Sequence, residues 1–109
     1  MDKINLFNEA EKSGGKIGHR PPIFKAADFD VDLQTFDPER ISNLHTCSKE
    51  EFFYVVKGEV EMQVENLSLH MREGDAIMVK PGEKHKHKIM QAGALMMVTK
   101  RPHEHRSYD

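Results

Sequence analysis

The chain has 109 residues, 38% of them apolar and 31% charged, which suits one domain with one core and excludes two ordinary ones. Sixteen Lys and Arg against eighteen Asp and Glu leave a formal charge of −2, which argues against nucleic acid or an anionic membrane as partner. A single cysteine, Cys47, excludes an intramolecular disulfide framework, so the core, a metal or a second subunit must hold the fold.

Residues 1–30 read as a short helix followed by an extended arm. Ile4, Phe7 and Ala10 fall three apart, and Leu6 stands four before Ala10, an amphipathic helical spacing. Asp2 is the expected cap, and Gly14-Gly15 the expected stop. Pro21-Pro22 then enforces an extended connection. No apolar segment follows Asp2 and Lys3, and none approaches a membrane span, so the expectation is a soluble, cytoplasmic protein.

From Val31 to Thr99 the period becomes two. Val31, Leu33 and Thr35 alternate with their neighbours, and Ile41 to Cys47 reads as extended. Phe52 to Val56 is a continuous β-branched and aromatic run, the pattern of a strand covered on both faces. Val60, Met62 and Val64 alternate after Gly58, as do Leu67, Leu69 and Met71. Turns follow at Glu73-Gly74-Asp75 and Pro81-Gly82. His85, His87 and Ile89 share one face of the next strand, and Lys84, Lys86 and Lys88 the other, solvated one. Leu95 to Thr99 is the last apolar strand, and 100–109 reads as a frayed polar tail. About eight short strands predict an all-β barrel or sandwich.

The chemistry concentrates on four residues. His45 and Cys47 lie two apart and point the same way on a strand. Glu51 opens the next strand and aims into the same space if the two strands pair. His85 follows a turn on a strand whose other face is lysine. Two imidazoles and a carboxylate make a facial metal triad with open positions. Cys47 is either a small buried hydrophobe or a thiolate ligand that shifts preference toward zinc. His87 can replace a missing histidine ligand, bind substrate or line the pocket, and lining is the simplest role. Phe53, on the face of Glu51, also lines the pocket. His103 and His105 repeat the His-x-His pattern in the tail, where ordering entropy opposes metal binding.

The stretch His45-Thr46-Cys47-Ser48-Lys49-Glu50-Glu51, followed after six residues by Gly58, resembles the first motif of the cupin superfamily. Gly74-Asp75, then Lys80-Pro81-Gly82 and His85, resembles the second. The resemblance covers Val31 to Thr99 and is to the small single-domain cupins grouped with mannose-6-phosphate isomerases. It implies a double-stranded β-helix barrel with the metal inside, His45, Glu51 and His85 as ligands, and Cys47 in the place of a second histidine. Glu39, Lys80 and Ile89 also depart from the family pattern, which favours glycine, proline and asparagine there. A divalent metal follows, with zinc, iron, manganese and nickel not distinguished. So does a small polar ligand, a sugar or carboxylate, and metal-dependent isomerase or dioxygenase-type chemistry with Glu51 as the catalytic group. A non-catalytic ligand-binding module and a purely structural metal site are the competing readings. The apolar strip of Phe52, Tyr54 and Val56, facing away from Glu51, needs a cover, from the helix or from a homodimer partner.

Overall fold

The structure is a computed structural model that describes residues 3–12, 24–38 and 41–108. Asp2, Gly14-Gly15, Pro21-Pro22 and Glu39 lie outside the described residues. The helix α1 runs over Leu6–Lys12. Its cap is Asn5, whose Oδ1 accepts from the amide of Asn8 at 3.0 Å. The buried stripe is Leu6 and Ala10, one turn apart, whereas Ile4 and Phe7 are exposed. This corrects the expected Ile4/Phe7/Ala10 face.

Among the described residues eight strands follow: β1 (Phe24–Lys25), β2 (Phe29–Phe36), β3 (His45–Cys47), β4 (Glu51–Val64), β5 (Leu67–Arg72), β6 (Ala76–Val79), β7 (His85–Lys100) and β8 (His105–Ser107). All pairings are antiparallel, and the two long strands β4 and β7 form the spine. Their ladder runs from Glu51↔Thr99 to Val64↔His85 and shifts register three times between Val55 and Val60. The shifts bend the ladder, as bulges do. Two glycines permit the bend. Gly58 has φ +87°, and a Cβ on Gly93 would collide with the Lys57 carbonyl oxygen. The first half of β4 packs between β7 and β6, the second half between β7 and β5, so the bent spine wraps into an all-β barrel.

The barrel interior holds Phe36, Phe53, Val55, Val60, Met62, Met71, Val79, Ile89 and Leu95. A second, smaller cluster lies outside, where Leu6 and Ala10 of α1 cover Leu33, Ala94, Val56 and Met96. The apolar face of β2 is therefore the one beneath the helix. Its opposite face gives Asp30, Gln34 and Phe36 to the interior. Leu67 and Leu69 stay exposed because β5 pairs only with β4 and nothing among the described residues closes over that end.

The segment beyond Lys100 is not frayed. His105–Ser107 forms β8, which pairs with β3 in the register Cys47↔His105 and His45↔Ser107. Ser48 N donates to Glu104 O at 2.9 Å, and Tyr108 N donates to Leu44 O at 2.9 Å. The Lys84 ammonium sits 4.7 Å above the Tyr108 ring. No helix among the described residues is long and apolar enough to cross a membrane.

Candidate metal centre

β3 meets β7 at a single register position, His45↔His85, so the two imidazoles stand directly opposite each other. Their ring centroids are 4.1 Å apart in an edge-on arrangement. Glu51 comes to them by a different route from the expected one. β3 and β4 do not pair. Glu51 instead opens β4 across the barrel interior, and its Oε1 lies 3.1 Å from His85 Nε2. The ligand atoms of His45, Glu51 and His85 all fall within 4.8 Å of one another.

The backbone orients both histidines. His45 Nδ1 donates to Asn43 O at 2.8 Å, and His85 Nδ1 donates to Glu83 O at 2.9 Å. This leaves each Nε2 free on the inner side, the arrangement that metal-ligating histidines adopt. His85 is fully buried, and its Nε2, like Glu51 Oε1, has no hydrogen-bond partner among the described residues despite their closeness. Buried polar atoms left unpaired are costly. A divalent cation shared by two imidazole nitrogens and a carboxylate oxygen would satisfy them, so the residues fit such an ion.

Glu51 Oε2 is held by Thr99 Oγ1 at 3.2 Å and by His105 Nε2 at 3.1 Å. Burial alone would raise the Glu51 pKa. The hydrogen bond from His105 and the nearness of His85 outweigh it and hold the carboxyl well below the usual range. Burial lowers the His45 pKa, against the hydrogen bond to Asn43 that raises it. His87 is also interior, with its ring 5.6 Å from that of Phe36. Burial lowers its pKa to about 4, so it is neutral at pH 7, and neither ring nitrogen has a partner among the described residues. Phe53 lines the same space, 5.6 Å from the His85 ring.

Cys47 shares the face of His45, as its spacing predicts, but its sulfur falls in another group. The ligand atoms of Cys47, His103 and His105 lie within 4.8 Å of one another. Hydrogen bonding to Cys47, then to Glu51, raises the His105 pKa to about 10. Thr99 and Asp30 are the residues that sequence reasoning missed, and His103 and His105 are those it named but set aside. The His-x-His spacing was visible but lay in a segment with no apolar period. Asp30 and Thr99 carried no signal, because only the register Asp30↔Thr99 and Glu51↔Thr99 sets them in one row.

The family model described as the cupin domain matches residues 32–101. No curated protein matches the sequence. Among solved structures, TT1209 from Thermus thermophilus is 21% identical with a TM-score of 0.74, covering 92% of this chain and 97% of that one. The polyketide cyclase RemF from Streptomyces resistomycificus is 19% identical with a TM-score of 0.69, covering 77% of this chain and 63% of that one. A mutant salicylate 1,2-dioxygenase from Pseudoaminobacter salicylatoxidans is 9% identical with a TM-score of 0.69, covering 73% of this chain and 25% of that one. At such identities the likeness shows the fold alone, and a cyclase and a dioxygenase on one fold show that it does not set the reaction. The family match spans well over half of the residues, and the chain belongs to the cupin domain family.

Proposed function

We propose that this chain binds a divalent metal through His45, Glu51 and His85 and holds a small polar substrate, a sugar or carboxylate, inside the barrel. The observation that carries this reading is the unpaired, buried His85 Nε2 and Glu51 Oε1, 3.1 Å apart, with both histidines clamped through Nδ1. When bound, the metal supplies Lewis-acid polarisation of a carbonyl or hydroxyl group. Zinc, iron, manganese and nickel all suit two imidazoles and a carboxylate. His87, neutral and without a partner among the described residues, offers one donor and one acceptor to the substrate. Phe53 and Phe36 form apolar walls that exclude water beside these groups. Thr99 and His105 fix the Glu51 carboxylate, and His105 and His85 keep it ionised. Glu51 is also the nearest base to a substrate in this position. The hydrogen bonds that keep it charged weaken its basicity, which favours the second reading, a ligand-binding cupin without turnover.

Elemental analysis and titration calorimetry of the purified protein test this function. Near-stoichiometric metal in the parent and at least about hundredfold weaker binding at this site in His85→Ala are expected. No metal in the parent, even after reconstitution, would overturn it. Turnover screened on sugars and small carboxylates then separates enzyme from binding module.

The outer face of the spine supports a homodimer. Phe52 stands opposite Met78 and Val98, and Met78 is 53% exposed. α1 covers only the Val56 and Met96 end of this strip. Sedimentation at micromolar concentration should give twice the monomer mass, and a monomer there excludes the dimer.

A further inference from the structure

We propose that Cys47, His103 and His105 form a second metal site, suited to a thiophilic ion such as zinc, beside the His45/Glu51/His85 group. The three ligand atoms already lie within 4.8 Å of one another. One thiolate and two imidazoles are a soft donor set that zinc prefers, and three protein ligands leave a fourth position for water. The group runs from the buried Cys47 to the exposed His105, so it reaches the solvent-accessible rim of the barrel.

Each histidine is arranged as a ligand. His103 Nε2 donates to Asp30 Oδ2 at 2.8 Å, and its Nδ1 is buried without a partner among the described residues. His105 Nε2 donates to Glu51 Oε2 at 3.1 Å, which leaves its Nδ1 on the other side of the ring. A carboxylate on the far nitrogen orients a ligating imidazole and raises its basicity. Asp30 is itself held by Arg101, whose Nε lies 3.5 Å from Oδ1. Both supporting carboxylates come from the barrel, through the row Asp30–Thr99–Glu51.

Ordering entropy, which opposes chelation by a loose tail, is largely spent in the fold. β8 is paired to β3, and Glu104 N donates to Ser48 Oγ at 2.7 Å between the two histidines. An ion here would tie β3 to the end of the chain. Glu51 touches both groups, Oε1 toward His85 and Oε2 toward His105. The second site does not require the first to be filled.

Titration of the metal-free, full-length protein with cobalt tests the proposal, followed by zinc-edge X-ray absorption. The expected result is two equivalents bound and a sulfur-to-cobalt charge-transfer band in the near ultraviolet. Cys47→Ser and His103→Ala should each remove one equivalent and the band. His85→Ala should remove the other equivalent and keep the band. The zinc-loaded parent should show one sulfur scatterer at about 2.3 Å, a readout that needs no variant to fold. A single equivalent without the band, lost in His85→Ala, overturns the second site and leaves the function proposed above intact. A single equivalent with the band, kept in His85→Ala, supports the second site and overturns the first. A band that vanishes in His85→Ala, or zinc bound by nitrogen and oxygen alone, overturns the second site.

Discussion

Two groups of ligating side chains share one carboxylate and differ in almost everything else. His45, Glu51 and His85 come from three strands of the barrel and point into its interior. Cys47, His103 and His105 come from β3, β8 and the segment before β8, and they run from a buried thiol to an exposed imidazole at the barrel rim. The first group uses backbone carbonyls to orient its histidines; the second uses carboxylates. An interior site thus depends on the bend of the whole barrel, whereas a rim site depends on a few hydrogen bonds that dock a short segment.

That contrast can be removed at the bend. Gly93→Ala drives a Cβ into the Lys57 carbonyl oxygen, where neither strand can give way without losing register. The expected cost is about 3 kcal/mol or more. A thermal melt should show a fall of at least about 12 °C, with both metal groups impaired. A melt within a degree or two of the parent would show that the ladder accommodates a side chain there.

A variant that touches only the rim separates the two groups further. Asp30→Asn keeps the shape but removes the charge that supports His103. Zinc affinity of the Cys47 group should fall by about tenfold to a hundredfold, with the His45 group unchanged by calorimetry. Equal losses at both groups would show that they titrate as one unit.

The mildest consequence concerns pH dependence. His105 has a folded-state pKa raised to about 10, above its unfolded value of about 6.5. The stability it contributes to the metal-free protein is full below about pH 6.5 and is lost as the pH rises toward 10. Glu51 works in the opposite sense. Its folded-state pKa is depressed, so its contribution is present above the unfolded value of about 4.3 and is lost as the pH falls. Denaturant midpoints across pH should therefore decline on both sides, and His105→Ala should flatten the alkaline limb. An alkaline limb unchanged in that variant would remove His105 from the account.

The fold and the first group were legible for specific reasons. Period-two alternation placed His85, His87 and Ile89 on one buried face, because strand geometry alone dictates it. The cupin resemblance picked out His45, Glu51 and His85, which the structure brings together. The helical spacing offered both Ile4/Phe7/Ala10 and Leu6/Ala10, and packing against Leu33 selected Leu6 and Ala10 while leaving Ile4 and Phe7 exposed.

Side-chain alternation and motif spacing are local properties, so strand faces, barrel class and ligand types were all written in the order of the amino acids. Which donors meet is a long-range property. The pairing Cys47↔His105 joins β3 to the far end of the chain, and the row Asp30–Thr99–Glu51 joins three strands. No periodicity encodes such contacts. They follow from the β4–β7 bend, from the register of β2 on β7, and from the docking of β8 on an otherwise unpaired edge, all of which arise only when distant strands pack together.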